Sequence, residues 1–172
     1  MDSDNLVCLC ALSKVFAYKS AVGRQLIDAF GGPAAVFAAP RSALRDALNH
    51  ADEYVDALTA PGLLEWACTE TEWAAAHGVD LLPCGSARYP FRLAQCDDAP
   101  LLLYCKGTAD LNVPCVLSVV GTRKATWYGR TTCRKLVERL AGLPVRPLVV
   151  SGLALGIDGC AHAAALENGL PT

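Results

Sequence analysis

Long apolar runs, clustered histidines and a basic leader are all missing from this sequence of 172 residues. No run approaches the length that crosses a bilayer, and Met1-Asp2-Ser3-Asp4 is acidic where a secretory leader is basic. A cytoplasmic protein with no membrane attachment is expected. Only three histidines occur, His50, His77 and His162, and no nucleophile, base and acid stand grouped for covalent or acid–base chemistry. The nine cysteines, at 8, 10, 68, 84, 96, 105, 115, 133 and 160, are odd in number and lack a C-x-x-C pair. Cys8 and Cys10 lie two apart and do not face each other on a helix. Reduced core thiols fit this pattern better than a disulfide framework or a metal knuckle. No catalytic activity, cofactor or metal is expected.

What is present is ample apolar material, 53% hydrophobic against 19% charged residues, enough for one large or two small cores. The net charge of −2 conceals an asymmetry. Residues 1–80 carry 5 basic and 11 acidic side chains, and residues 81–172 carry 10 basic and 6 acidic. Between 123 and 146, seven cations (Arg123, Lys124, Arg130, Arg134, Lys135, Arg139, Arg146) face one acid, Glu138. An acidic ligand prefers this second half.

Residues 6–77 read as short helices: Leu6–Leu12, Ser20–Phe30 ended by Gly31-Gly32-Pro33, a turn near Ala34–Ala38, a helix behind Ser42, and Ala51–Leu58. After Pro61-Gly62, residues Leu63, Trp66, Ala67, Trp73 and Ala74 recur at helical spacing, predicting a helix over Leu63–Ala76 packed along one face, with His77 at its end. From Val79 the runs become short and β-rich: Val79–Leu82, Leu101–Cys105, Cys115–Val120 and Leu148–Val150. A helix over Trp127–Ala141 separates the last two, with Cys133, Leu136, Val137 and Leu140 as its core stripe. This order is α/β with at least two parallel strands.

Two strand–turn–helix units carry the chemistry. In the first, Cys115–Val120 stops at Gly121 and opens into Thr122, Arg123 and Lys124, and Thr126 stands where it can cap the following helix. In the second, Leu148–Val150 runs into Ser151-Gly152-Leu153-Ala154-Leu155-Gly156-Ile157-Asp158 and a helix through Ala161–Leu166. Right-handed crossovers bring both turns to the carboxyl edge of a parallel sheet, where open α/β sheets bind ligands. A phosphate pocket is expected from Gly121, Thr122, Arg123, Lys124, Thr126, Ser151 and Gly152. A positive turn without a ligand fits the first segment as well. Asp158 and His162, four apart, share a helix face and fit either an acid/base pair or a hydrogen bond that pins the Gly156 turn.

These residues resemble the DNA-processing protein A family (DprA, also called Smf). Its signature pairs V-G-[ST]-R-x-x-[ST]-x-Y-G with S-G-x-A-x-G-I-D-x-x-A-H, and here Val120–Gly129 and Ser151–His162 match. Upstream, Tyr89-Pro90, Leu93, Asp98-Ala99-Pro100 and Leu103–Gly107 are similar to its Y-P-x-x-L, D-P-P and L-Y-x-x-G landmarks. The resemblance implies a small helical domain of the sterile-alpha-motif or helix-hairpin-helix kind over 1–77, then the first part of a Rossmann-like parallel sheet over 78–172. Further strands, an Arg-Asn-Arg motif and the dimer surface of full-length homodimers would lie outside this sequence, leaving Leu148–Val150 as an apolar sheet edge.

The same resemblance implies single-stranded DNA binding without catalysis, and a role in natural transformation and in loading the RecA recombinase. Many members carry a base where this chain has Leu155. Residues 1–77 are expected to pack or to meet a partner rather than grip DNA, because Val15–Lys19, between the first two helices, holds no glycine to admit a phosphate. Two other readings use the same turns: a nucleotide-binding or nucleotide-hydrolysing protein, and an interaction module that binds neither.

Overall fold

The computed structural model describes residues 2–172. They form two compact units that divide between Gly107 and Thr108. The first holds helices α1 (Ser3–Val15), α2 (Ser20–Phe30), α3 (Pro33–Ala38), α4 (Arg41–Ala47), α5 (Asp52–Leu58) and α6 (Leu63–Ala76), then strand β1 (Asp80–Pro83), a single turn α7 (Phe91–Ala94) and strand β2 (Leu102–Cys105). The second holds β3 (Val116–Ser118), α8 (Trp127–Ala141), β4 (Leu148–Val150) and α9 (Ile157–Glu167).

Local chemistry sets the helix ends. The acidic start of the chain has a structural task, since the Asp2 carboxylate caps α1 by accepting from the Asn5 N–H at 2.9 Å. Gly31 closes α2 in the left-handed region (φ 82°), and Pro33 opens α3 where its missing N–H is not needed. The helices enclose a core of Leu9, Leu12, Phe16, Leu26, Val36 and Val55, and Leu101 and Leu102 belong to that core too.

The strand-rich part read as beginning at residue 78 is therefore divided. β1 and β2 pair antiparallel, Asp80 opposite Cys105, and pack with the helices. A two-stranded ribbon is marginal alone in water and has to bury its apolar residues on a neighbour. Tyr89 is buried and its hydroxyl donates to Pro100 O at 2.8 Å, while the Arg24 guanidinium donates to Ala99 O and Asp97 O.

In the second unit β3 and β4 pair in parallel, Val116 opposite Leu148, as the two apolar runs predict. α8 and α9 pack on each other through Cys133, Val137, Cys160, Ala161, Ala164 and Ala165, the alanines admitting close approach. The edge expected to be bare is engaged: the Val149 N–H donates to Pro171 O at 2.9 Å, and Thr172 Oγ1 donates to Val149 O at 2.8 Å. Leu148–Val150 is thus bonded on both sides.

Two apolar stripes are narrower than their spacing predicts. Trp73 on α6 is 49% exposed and stacks on His77 with centroids 4.3 Å apart, so α6 packs through Ala67 and Ala74 instead. Leu136 on α8 is likewise 49% exposed, leaving Cys133 and Val137 buried. No helix of the described residues is long and apolar enough to cross a membrane.

All nine cysteines are free, and not all are core thiols: Cys8, Cys10, Cys133 and Cys160 are buried, but Cys68 and Cys96 are exposed. The Glu72 carboxylate beside Cys68, 3.6 Å from its sulfur, raises that thiol above the usual range. Alkylation at pH 8 followed by peptide mapping is therefore expected to label Cys96 first, Cys68 next and the four buried thiols last. Labelling of Cys133 or Cys160 ahead of Cys96 would mean that α8 and α9 are not packed as described.

Candidate functional site

The two turns leave the carboxyl ends of β3 and β4 side by side, because pairing continues one residue past β3 with the Val119 N–H donating to Val150 O at 2.9 Å. They then interlock. A Cβ on Gly121 would fall 2.6 Å from the Ile157 side chain, and one on Gly156 would fall 2.2 Å from Thr122 O and 2.7 Å from Arg123 O. Gly156 also holds φ at 99°, a region open to glycine and strained for other residues. Across the contact the Ile157 N–H donates to Thr122 O at 3.2 Å. Asp158, only 6% exposed, accepts from the Gly121 N–H at 3.1 Å. Its other oxygen lies 3.0 Å from where a Cβ of Gly152 would stand.

The first turn ends in α8 by a side-chain cap, Thr126 Oγ1 accepting from the Gly129 N–H at 3.1 Å. Within the turn the Lys124 N–H donates to Thr122 Oγ1 at 3.2 Å. The amides of Thr122 and Arg123 have no acceptor among the described residues. The Arg123 and Lys124 side chains are exposed and have no carboxylate or hydrogen-bond partner among them either. Beside these cations stand Val120, Trp127 and Tyr128, exposed to 81%, 80% and 73%. The aromatic pair directly after the capping threonine was the signal for this surface, and the spacing alone left both rings without a role.

The second turn is arranged differently. Ser151 Oγ donates to Val119 O at 2.6 Å, tying the turn to the sheet. His162 does not pair with Asp158: its Nε2 donates to Ser151 O at 3.3 Å, and its Nδ1 lies 2.5 Å from Thr172 Oγ1. His162 so pins the turn, by way of Ser151 rather than Gly156. Behind it α8 and α9 exchange thiol bonds, Cys133 Sγ donating to Ile157 O at 3.9 Å and Cys160 Sγ to Arg130 O at 3.5 Å. Burial, with the neighbouring Cys160, pushes the Cys133 thiol up to about 11, so it stays a neutral donor.

These contacts sort the residues expected to form one pocket. Arg123, Lys124 and the amides of Thr122, Arg123, Ser151 and Gly152, none of which has an acceptor among the described residues, are open to a ligand. The Gly121 amide is taken by Asp158, the Thr126 hydroxyl by the cap and the Ser151 hydroxyl by the sheet. Asp158 also stands in the first turn of α9, where its charge offsets the positive helix end. An anion therefore meets its positive field at the first turn. Among the described residues no three His, Cys, Asp or Glu side chains gather as metal ligands do.

Residues 80–172 match the model of the family described as DNA recombination-mediator protein A. The chain belongs to this family. It is similar to the DNA processing protein DprA of Streptococcus pneumoniae, 43% identical over 81 residues that make up 47% of this chain and 28% of the relative. It is also similar to DprA of Bacillus subtilis, 36% over 92 residues (53% and 30%), and to protein Smf of Escherichia coli, 39% over 99 residues (57% and 26%). The match thus spans under a third of each relative's length. In fold the chain is similar to the X-ray structure of S. pneumoniae DprA, with a TM-score of 0.53 and 23% identity, covering 92% of this chain and 53% of that one. That likeness agrees with a helical part followed by a Rossmann-like parallel sheet.

The interlock sets two expectations for urea denaturation of the 172-residue chain. Gly156→Ala puts a methyl into backbone atoms at a left-handed φ and should cost about 3 kcal/mol or more. Asp158→Ala strands the Gly121 N–H and should cost about 1–3 kcal/mol, with Asp158→Asn, which keeps an acceptor, recovering most of it. A Gly156→Ala chain as stable as the parent would rule out the interlock.

Proposed function

We propose that the first turn and the start of α8 bind single-stranded DNA through its phosphates, without catalysis. The observation that carries this reading is the pair of exposed cations, Arg123 and Lys124, free of any carboxylate beside two open amides. Several other exposed arginines of this chain are held in ion pairs, as in Arg41–Asp56, Arg45–Asp52 and Arg88–Asp80. The flanking Trp127 and Tyr128 support a single strand over a duplex, since stacking needs an unpaired base face.

Family membership supports the setting. In this reading the protein works in the cytoplasm, protects single strands taken up in natural transformation and passes them to the RecA recombinase, as a homodimer when the protein is full length. Residues 1–77 take no part in gripping DNA. The structure gives no particular support to nucleotide hydrolysis or to an interaction module that binds nothing.

Anisotropy titration of a labelled deoxythymidine strand across a salt series tests this. Affinity should fall with salt at a slope of about −0.7 per phosphate contact. Arg123→Ala should reduce the slope by about one contact and Lys124→Ala by less. An Arg123→Ala chain with unchanged affinity and slope would place the phosphates elsewhere.

A further inference from the structure

In the first unit a cleft of about 390 Å³ opens between α2 and the segment that follows β1. Leu9, Ile27, Pro33, Ala94 and Leu101 stand in its walls, with Arg24, Asp28 and Cys84 also on its lining. Its size lies at the lower end of small-molecule pockets, and its walls are mostly apolar as theirs are. Leu9 and Leu101 are buried, and the Cys84 N–H donates to Leu101 O at 2.9 Å, which ties the far wall to the core. The contacts proposed for the second unit make no use of this cleft.

Asp28 is the anomaly. Arg24 stands four residues before it on α2, the spacing at which opposite charges on a helix face pair. They do not pair here: the Arg24 guanidinium donates instead to Ala99 O at 2.7 Å and to Asp97 O. Asp28 is exposed and has no cation or hydrogen-bond donor among the described residues. It also lies in the last turn of α2, where the negative helix end disfavours a carboxylate. The helix thus has no use for a negative charge at this point.

We propose that this cleft binds a small organic cation, its apolar body against Leu9, Ile27 and Leu101 and its ammonium group on Asp28. Charge complementarity selects the occupant. An apolar floor with an unpaired carboxylate at its edge presents the reverse of a primary amine on a hydrocarbon body. Arg24 is held on two backbone carbonyls, which leaves the Asp28 carboxylate to the ligand. An anion of the same shape would meet Asp28 in a unit that carries eight basic side chains against thirteen acidic. This inference is independent of the reading of the first turn.

The test uses the 172-residue chain and three probes that share one body: phenylbutylamine, phenylbutanol and phenylbutyrate. Each is read by how far it slows iodoacetamide labelling of Cys84, with Cys115, half-buried in the second unit, as the reference thiol. The amine should halve Cys84 labelling at about millimolar concentration, the strength that a ligand of this size reaches at ordinary efficiency. The alcohol should need about fivefold more, as loss of one exposed ion pair implies, and the butyrate should not protect. Asp28→Asn should bring the amine to the level of the alcohol with the urea midpoint unchanged or raised, an outcome that a folding role for Asp28 does not give. Asp46→Asn, on α4, should leave the preference for the amine as in the parent. Equal protection by amine and alcohol, a preference that survives Asp28→Asn, or slowing of Cys115 together with Cys84 would each overturn the cation site.

Discussion

The close approach of Gly156 to the Thr122–Arg123 backbone is the constraint on which the second unit depends. Two parallel strands cannot be joined by a hairpin, so α8 must intervene and the turns after β3 and β4 have to share one edge. They share it only because Gly121 and Gly156 lack side chains, which lets Ile157 seat on one and the Thr122 carbonyl on the other. Once seated, the buried polar groups find partners: Ile157 N–H on Thr122 O, and Gly121 N–H on Asp158. The carbonyls of the first turn face inward as a result. Its exposed cations, Arg123 and Lys124, are presented to solvent.

The same interlock divides labour between turns that look alike in sequence. A buried carboxylate beneath the second turn answers the positive end of α9, so that helix end offers an incoming anion little. Ser151 and His162 serve to hold the turn to the sheet. The first turn has no acid of its own, and the unit to which it belongs carries seven cations against four acids, while the unit ending at Gly107 carries eight against thirteen. The second unit therefore carries the net positive charge that favours an anion, and the proposed contact lies on its first turn.

Elements with strong periodicity were legible in the sequence. Ser20–Phe30, Leu63–Ala76, Trp127–Ala141 and Leu148–Val150 stand where their patterns place them, and β3 and β4 are paired as the two apolar runs imply. Periodicity tells which residues share a face but not how much of that face a neighbour covers, which is why Trp73 and Leu136 were read as buried. Nor does local pattern reveal where a ribbon docks: β1 and β2 look like the start of the sheet and bury Leu101 and Leu102 among the helices. In the site, Arg123 and Lys124 followed from charge next to a glycine turn. The capture of the Gly121 amide by Asp158, 37 residues later, is a tertiary contact without a local trace.

Magnitudes decide what kind of ligand the site can hold. An exposed charge pair contributes at most about 1 kcal/mol and a net hydrogen bond about as much. Arg123, Lys124 and two amides on one phosphate therefore reach about 4 kcal/mol, which corresponds to millimolar affinity. A mononucleotide held by that turn alone would be bound too weakly to occupy it under ordinary conditions. On the proposed reading, a strand would add contributions that a single nucleotide cannot, about 1–3 kcal/mol for each base stacked on Trp127 or Tyr128, and two such bases would bring the total to micromolar range. On that reading the turn starts a contact rather than completing one, and its cations gain useful affinity only for a ligand that repeats phosphate and base along its length.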